Sequence, residues 1–165
     1  LENTPKVVWF DKEMLRDVVP RVFTCFNEKH TMFFIRRKPP KTTGSQGEDL
    51  ASRYLEKKGY VVLERNFSNP KGYRLGEIDI IAKEDKTIVF VEVKTRHRQI
   101  RDGDEVILPE AAITPEKMRK VSRIAEYYLR KTKQMHVPYR FDALAIVVDV
   151  ERRTAQVRHL EHIFF

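Results

Sequence analysis

Gly76-Glu77-Ile78-Asp79-Ile80-Ile81-Ala82, the polar Lys83-Glu84-Asp85-Lys86, and then Thr87-Ile88-Val89-Phe90-Val91-Glu92-Val93-Lys94-Thr95 form the stretch that decides how this chain folds. Two β-branched runs on either side of a short polar segment have the pattern of a β-hairpin. Side chains alternate along a strand, so Glu92 and Lys94 project to one side while Val91, Val93 and Thr95 project to the other. Folding about Asp85 sets Asp79 roughly opposite Glu92, and two carboxylates and one ammonium converge on one face. The plain account of such a cluster is a cross-strand ion pair on a solvated face, worth roughly 0.2–1 kcal/mol. The sharper account starts from cost: paired carboxylates repel and each is penalised by desolvation, unless they hold a cation. Their hard oxygens suit Mg²⁺ or Mn²⁺, which complete their shells with water and phosphate, and no Cys-His set suggests zinc. A cation there polarises a phosphoryl oxygen, and Lys94 is placed to orient the attacking water or to stabilise transition-state charge. Phosphodiester hydrolysis is the expected reaction. Glu77 shares the Asp79 face by alternation and either adds a ligand or lines the strand.

Upstream, Ser45-Gln46-Gly47-Glu48 opens a helical pattern with Leu50, Ala51, Tyr54 and Leu55 on one face. The Ser cap with a Glu three residues on reads as a capping box. Glu48 therefore has two readings, a cap or an inward-facing acid, since Ala51 and Leu55 continue its face. Gly59 stops the helix, Tyr60 to Phe67 reads as a strand, and Ser68-Asn69-Pro70-Lys71-Gly72 as a turn. Downstream, Pro115 is a first-turn proline, and Met118, Val121, Ala125, Tyr128 and Leu129 recur at helical spacing. Phe141 to Val150 looks like a buried strand. Val157, Leu160 and Ile163 fit either a further strand or a short helix.

Residues 1–43 read as an N-terminal extension, with a basic, proline-containing linker at Arg36-Arg37-Lys38-Pro39-Pro40-Lys41, and residues 44–165 as one α/β domain. The chain opens on Leu1, so the reading admits a fragment or initiation at Met32, and no function attaches to residues 1–31. With 32 Lys and Arg against 24 Asp and Glu, the net charge of +8 favours a polyanionic partner. No apolar run approaches the roughly 20 residues that span a bilayer, and the start lacks a secretory layout, so the expected home is cytoplasmic, with no membrane partner. Cys25, the single cysteine, reads as a packing residue.

Gly-Glu-Ile-Asp at 76–79, a turn, and Phe-Val-Glu-Val-Lys-Thr-Arg at 90–96 together resemble the PD-(D/E)xK nuclease superfamily. Gly47-Glu48 with Tyr54-Leu55, Gly59-Tyr60, Glu64-Arg65-Asn66-Phe67, Thr114-Pro115-Glu116-Lys117 and Phe141-Asp142 are similar, in order and spacing, to the YraN-type group of uncharacterised bacterial endonuclease-like proteins. The resemblance runs from about Gly44 to Phe164. It implies a restriction-endonuclease-like mixed β-sheet flanked by helices, with Asp79 and Glu92 as metal ligands and Lys94 as the catalytic lysine. It also implies Glu48 as a helix-borne acid assisting the metal and the Val93 carbonyl as a further ligand. Relatives on this fold differ in substrate, so the fold does not decide which nucleic acid is cut. DNA, in repair or recombination, is the expected substrate, and a homodimer is left open.

Lys94, Arg96, His97, Arg98 and Arg101 follow the strand directly and read as phosphate contacts, with Lys117 extending a basic groove along the helix with Arg119, Lys120 and Arg123. The plain alternative is a solvated loop and an exposed helix face. His97 carries the least of this reading. A different class of function also remains, a nucleic-acid-binding module that keeps the nuclease scaffold and turns over little or nothing; a structural protein indifferent to nucleic acid is the third.

Overall fold

The computed structural model describes residues 7–10, 43–69, 76–97, 115–149 and 151–163. The elements are β1 (Val7–Phe10), α1 (Thr43–Lys57), β2 (Val61–Ser68), β3 (Glu77–Glu84), β4 (Thr87–His97), α2 (Pro115–Lys131), β5 (Tyr139–Asp149) and β6 (Thr154–Leu160). In α1 the expected face is the buried one: Leu50, Ala51, Tyr54 and Leu55 are all at most 2% exposed. The helix ends where Gly59 takes φ 92°, a conformation that costs glycine little. The Tyr60 amide then donates to the Leu55 carbonyl at 3.0 Å and the Gly59 amide to Glu56 at 2.9 Å, which satisfies two carbonyls the helix leaves open. The start differs from the expectation. The helix begins at Thr43, so Ser45 lies inside its first turn and the capping box does not form.

The hairpin of β3 and β4 is tight. Glu84 pairs with Thr87, leaving only Asp85 and Lys86 in the loop, and Asp85 takes φ 51°, which aspartate tolerates better than most residues. β4 and β5 are parallel, with α2 making the crossover that parallel neighbours require. Antiparallel β2, β3, β5, β6 and β1 pairings complete a six-stranded mixed sheet in the order β1-β6-β5-β4-β3-β2. The C-terminal pattern left open above is thus a strand. Four residues of the N-terminal extension also join the sheet: β1 pairs with β6, and Phe10 is 2% exposed with its ring edge-on to Tyr54 at 6.0 Å.

Because strand side chains alternate, the sheet has two apolar faces, and each is covered by a helix. Ile80, Ala82, Val89, Val91, Leu144 and Ile146 pack with α1, while Ile81, Ile88 and Phe90 pack with Val121, Ile124, Tyr128 and Leu129 of α2. This is the α/β architecture implied by the resemblance, a restriction-endonuclease-like mixed sheet flanked by helices. Among the described residues no helix is long and apolar enough to cross a membrane.

Within the α1-side core sits a charged network that periodicity does not announce. Asp142, fully buried, accepts from Arg140 Nε at 3.0 Å and from the His162 amide at 3.0 Å, and lies 3.0 Å from His159 Nε2. Arg140 also donates to Glu84 at 2.6 Å and to the Tyr60 hydroxyl at 2.8 Å. Burial pushes the Asp142 carboxyl up, but His159, Arg140 and the His162 amide together hold it below its ordinary value. A carboxyl that titrates lower in the folded than in the unfolded chain stabilises the fold above its unfolded pKa of about 3.9, and that contribution is lost as pH falls through the folded value. Asp142→Ala leaves Arg140 buried without its main partner, so it is expected to cost about 3–5 kcal/mol at pH 7 and to flatten the further loss of stability below about pH 4. Urea unfolding of both proteins at pH 7 and pH 3 checks this, and a cost under about 1 kcal/mol at pH 7 would show that the network contributes little.

Candidate functional site

The pairing of β3 with β4 runs from Glu84↔Thr87 to Ile80↔Val91 and stops. One step further the same register sets Asp79 opposite Glu92, as the sequence predicts, but the strands do not continue as a ladder. The Asp79 carboxylate instead accepts the Val93 amide at 2.7 Å, taking the position that a β3 carbonyl would hold. Ile88 donates its amide toward β5, to Pro138, so alternation sends the odd-numbered amides of β4 toward β3. The amide and carbonyl of one residue in an extended strand leave on the same side, so the Val93 carbonyl also faces β3. Glu92 and Lys94 flank it on the α2 side, in line with Ile88 and Phe90. Lys94 is exposed, and Asp79, Glu92 and Val93 are half-buried.

This donor set fits a magnesium- or manganese-type ion. Two carboxylates and one carbonyl offer hard oxygens at a point where the sheet opens, and such ions take one or two protein carboxylates and fill the rest of their shell with water and phosphate oxygens. Among the described residues no three Asp, Glu, His or Cys side chains gather as a cage.

Glu48 is held by β2. Its carboxylate accepts from Asn66 Nδ2 at 2.9 Å, with Arg65 at 3.5 Å, and Arg65 bonds Asp49 at 2.8 Å. These contacts tie α1 to β2 and replace the capping-box account of Glu48. Gly47 permits the approach: a Cβ there would overlap the Thr95 hydroxyl of β4. The residue before Glu48 therefore rests on the strand that carries Glu92 and Lys94.

Asn66 and Arg65 were legible only as parts of a motif, with no role attached. The signal that singles out Asn66 is conformational, φ 52° inside a strand. Asp142 did have a sequence signal, a lone carboxylate in the apolar run of β5 that demands a partner. Of the basic residues, Arg96 and His97 are exposed at the end of β4, and Arg119, Lys120 and Arg123 are exposed on α2, with Lys120 paired to Glu116 at 2.9 Å. Arg98 and Arg101 lie outside the described residues, as does the Lys117 side chain.

A mixed sheet between two helices, with an Asp on one hairpin strand and Glu-x-Lys on the next where the strands part, defines a protein of the PD-(D/E)xK nuclease type. The model of the uncharacterised protein family UPF0102 matches residues 47–146. A UPF0102 protein of Caldicellulosiruptor saccharolyticus is 41% identical over 121 residues, 73% of this chain and 95% of the relative. Those of Geotalea uraniireducens and Syntrophomonas wolfei are each 41% identical, covering 77% and 73% of this chain and 90% and 96% of the relatives. The chain belongs to this family, the YraN-type group that its motifs resemble.

Gly47→Ala is expected to push α1 away from β4 and to destabilise the protein by about 1–3 kcal/mol, the usual cost of overpacking a filled contact. A thermal unfolding midpoint equal to that of the wild type would mean that Thr95 yields freely and that the helix is not clamped there.

Proposed function

We propose that this protein is a metal-dependent phosphodiester hydrolase of endonuclease type, acting on DNA in repair or recombination. The observation that carries the reading is the Asp79–Val93 bond, which ends the β3–β4 ladder beside Glu92 and Lys94. Asp79, Glu92 and the Val93 carbonyl would hold Mg²⁺ or Mn²⁺, which when bound supplies positive charge to the scissile phosphate and acidifies a coordinated water. Asp79 is oriented by the Val93 amide, which donates to one of its oxygens. Lys94 donates hydrogen bonds from its ammonium to the attacking water or to the phosphate oxygens on which charge develops. Arg96, followed by Arg98 and Arg101, and on α2 by Lys117, binds the flanking phosphates and sets the strand's position without reading its sequence. The cytoplasm, where DNA and Mg²⁺ meet in bacteria, is the compartment that suits this chemistry.

The test is cleavage of labelled single-stranded, duplex, flap and branched DNAs, with RNA counterparts, in Mg²⁺, Mn²⁺ or EDTA. Metal-dependent cutting that falls at least about 100-fold in Asp79→Ala and in Lys94→Ala, with unfolding midpoints retained, is the expected result. Unchanged cutting in both variants would sink the mechanism. Salt-sensitive retention of DNA with no cutting of any substrate would favour the binding module, since phosphate contacts weaken steeply with salt.

A further inference from the structure

The pairing of β2 with β3 sets Arg65 opposite Ile80 and Phe67 opposite Ile78, so Asn66 falls opposite Asp79. Arg65 reaches α1 and Ile80 packs in the α1-side core, whereas Phe67 and Ile78 pack in the α2-side core. Regular strands would keep residues 65 and 67, and 78 and 80, on common faces. Both strands therefore change face at Asn66 and Asp79, and the φ of 52° at Asn66 is the backbone feature that makes the change on β2. It leaves the Asn66 side chain directed at α1, where Nδ2 donates to Glu48 at 2.9 Å. Cross-strand neighbours have Cβ atoms about 4.5–5.5 Å apart, so the residue that holds Glu48 sits one strand spacing from Asp79.

We infer that Asn66 is a positioning residue that fixes the Glu48 carboxylate beside Asp79 and so tunes the cation site from the β2 side. Glu48 acts from the outer shell of the site, through Asn66, and joins Asn66, Asp79 and Glu92 in one row across β2, β3 and β4. The inference rests on the metal-binding reading proposed above. The chemistry requires an amide at position 66. Its NH₂ group donates to Glu48, and asparagine is among the few side chains that tolerate a left-handed backbone. Arg65 gives Glu48 only a longer contact at 3.5 Å and is shared with Asp49.

Asn66→Gly tests this, because glycine keeps the positive φ and removes only the amide. The full chain, labelled with ¹⁵N, gives side-chain amide signals, and the Asn66 pair is identified by its disappearance in that variant. In Glu48→Ala those signals are expected to shift, and Mn²⁺ is expected to broaden them in the wild type but not in Asp79→Ala. By calorimetry, Asn66→Gly is expected to bind Mn²⁺ about 10-fold more weakly, as loss of an outer-shell partner does elsewhere. In a Glu48→Ala background the same substitution should have almost no further effect. A purely structural Asn66 would leave Mn²⁺ affinity unchanged while lowering the unfolding midpoint, and that result overturns the inference with the metal reading intact. A loss of the same size with and without Glu48 also overturns it. Absence of Mn²⁺ binding to the wild type overturns the metal reading and this inference together, whereas Asn66 signals that ignore Glu48→Ala overturn the Asn66–Glu48 contact and this inference with it, leaving the metal reading intact.

Discussion

The hydrogen bond from the Val93 amide to the Asp79 carboxylate, 2.7 Å long, is the interaction around which the site is arranged. A continued ladder would have paired that amide with a backbone carbonyl, at a net gain of about 0.5–1.5 kcal/mol; a bond to a charged acceptor contributes about 1.5–3 kcal/mol. Ending the ladder with a carboxylate therefore need not weaken the sheet at this point. What changes is geometry. β3 no longer follows β4, the Val93 carbonyl faces the gap, and the side chains of Glu92 and Lys94 flank an opening in place of a neighbouring strand.

An opening of this kind needs a stiff frame, and the buried Arg140–Asp142 network supplies one close by, since Asp142 pairs with Val91, the last residue of β4 in the β3 ladder. Taking a carboxylate out of water costs several kcal/mol. Here Arg140, His159 and the His162 amide all bond it, and Arg140 spends its remaining donors on Glu84 of β3 and on Tyr60, which follows α1. The network thus joins β3, β5, β6 and the end of α1. Burial also pushes the Tyr54 hydroxyl beside it up to about 12, so that this neighbour stays neutral and adds no charge to the cluster.

The parts of this structure that were legible in the sequence are those governed by short-range periodicity. The hairpin, its register to Asp79 and Glu92, the buried face of α1 and the α2 crossover all follow from alternation, helical spacing and turn chemistry. The capping box failed because Thr43 and Gly44 extend the helix backward, which turns Ser45 into an ordinary first-turn residue and frees Glu48 for β2. β1 escaped because four residues carry almost no periodic signal and their partner, β6, lies at the far end of the chain. The role of Asn66 was hidden for another reason: a face switch in mid-strand violates the period-two rule on which strand reading depends, and nothing local to Asn66-Phe67 shows that the backbone turns left-handed.

That violation also determines where the site can be. Glu48 approaches the sheet from the α1 side, while Glu92 and Lys94 stand on the α2 side with Phe90. In a regular sheet these side chains would be separated by the full thickness of the backbone. Only where alternation breaks can a side chain lie in the plane of the sheet and reach both sides, and the Asp79 carboxylate does so, pointing across to the Val93 amide. The proposed centre, which would draw on groups from both faces, would therefore lie at the Asn66–Asp79 crossover, where the β3–β4 ladder ends, and not at the tip of the hairpin.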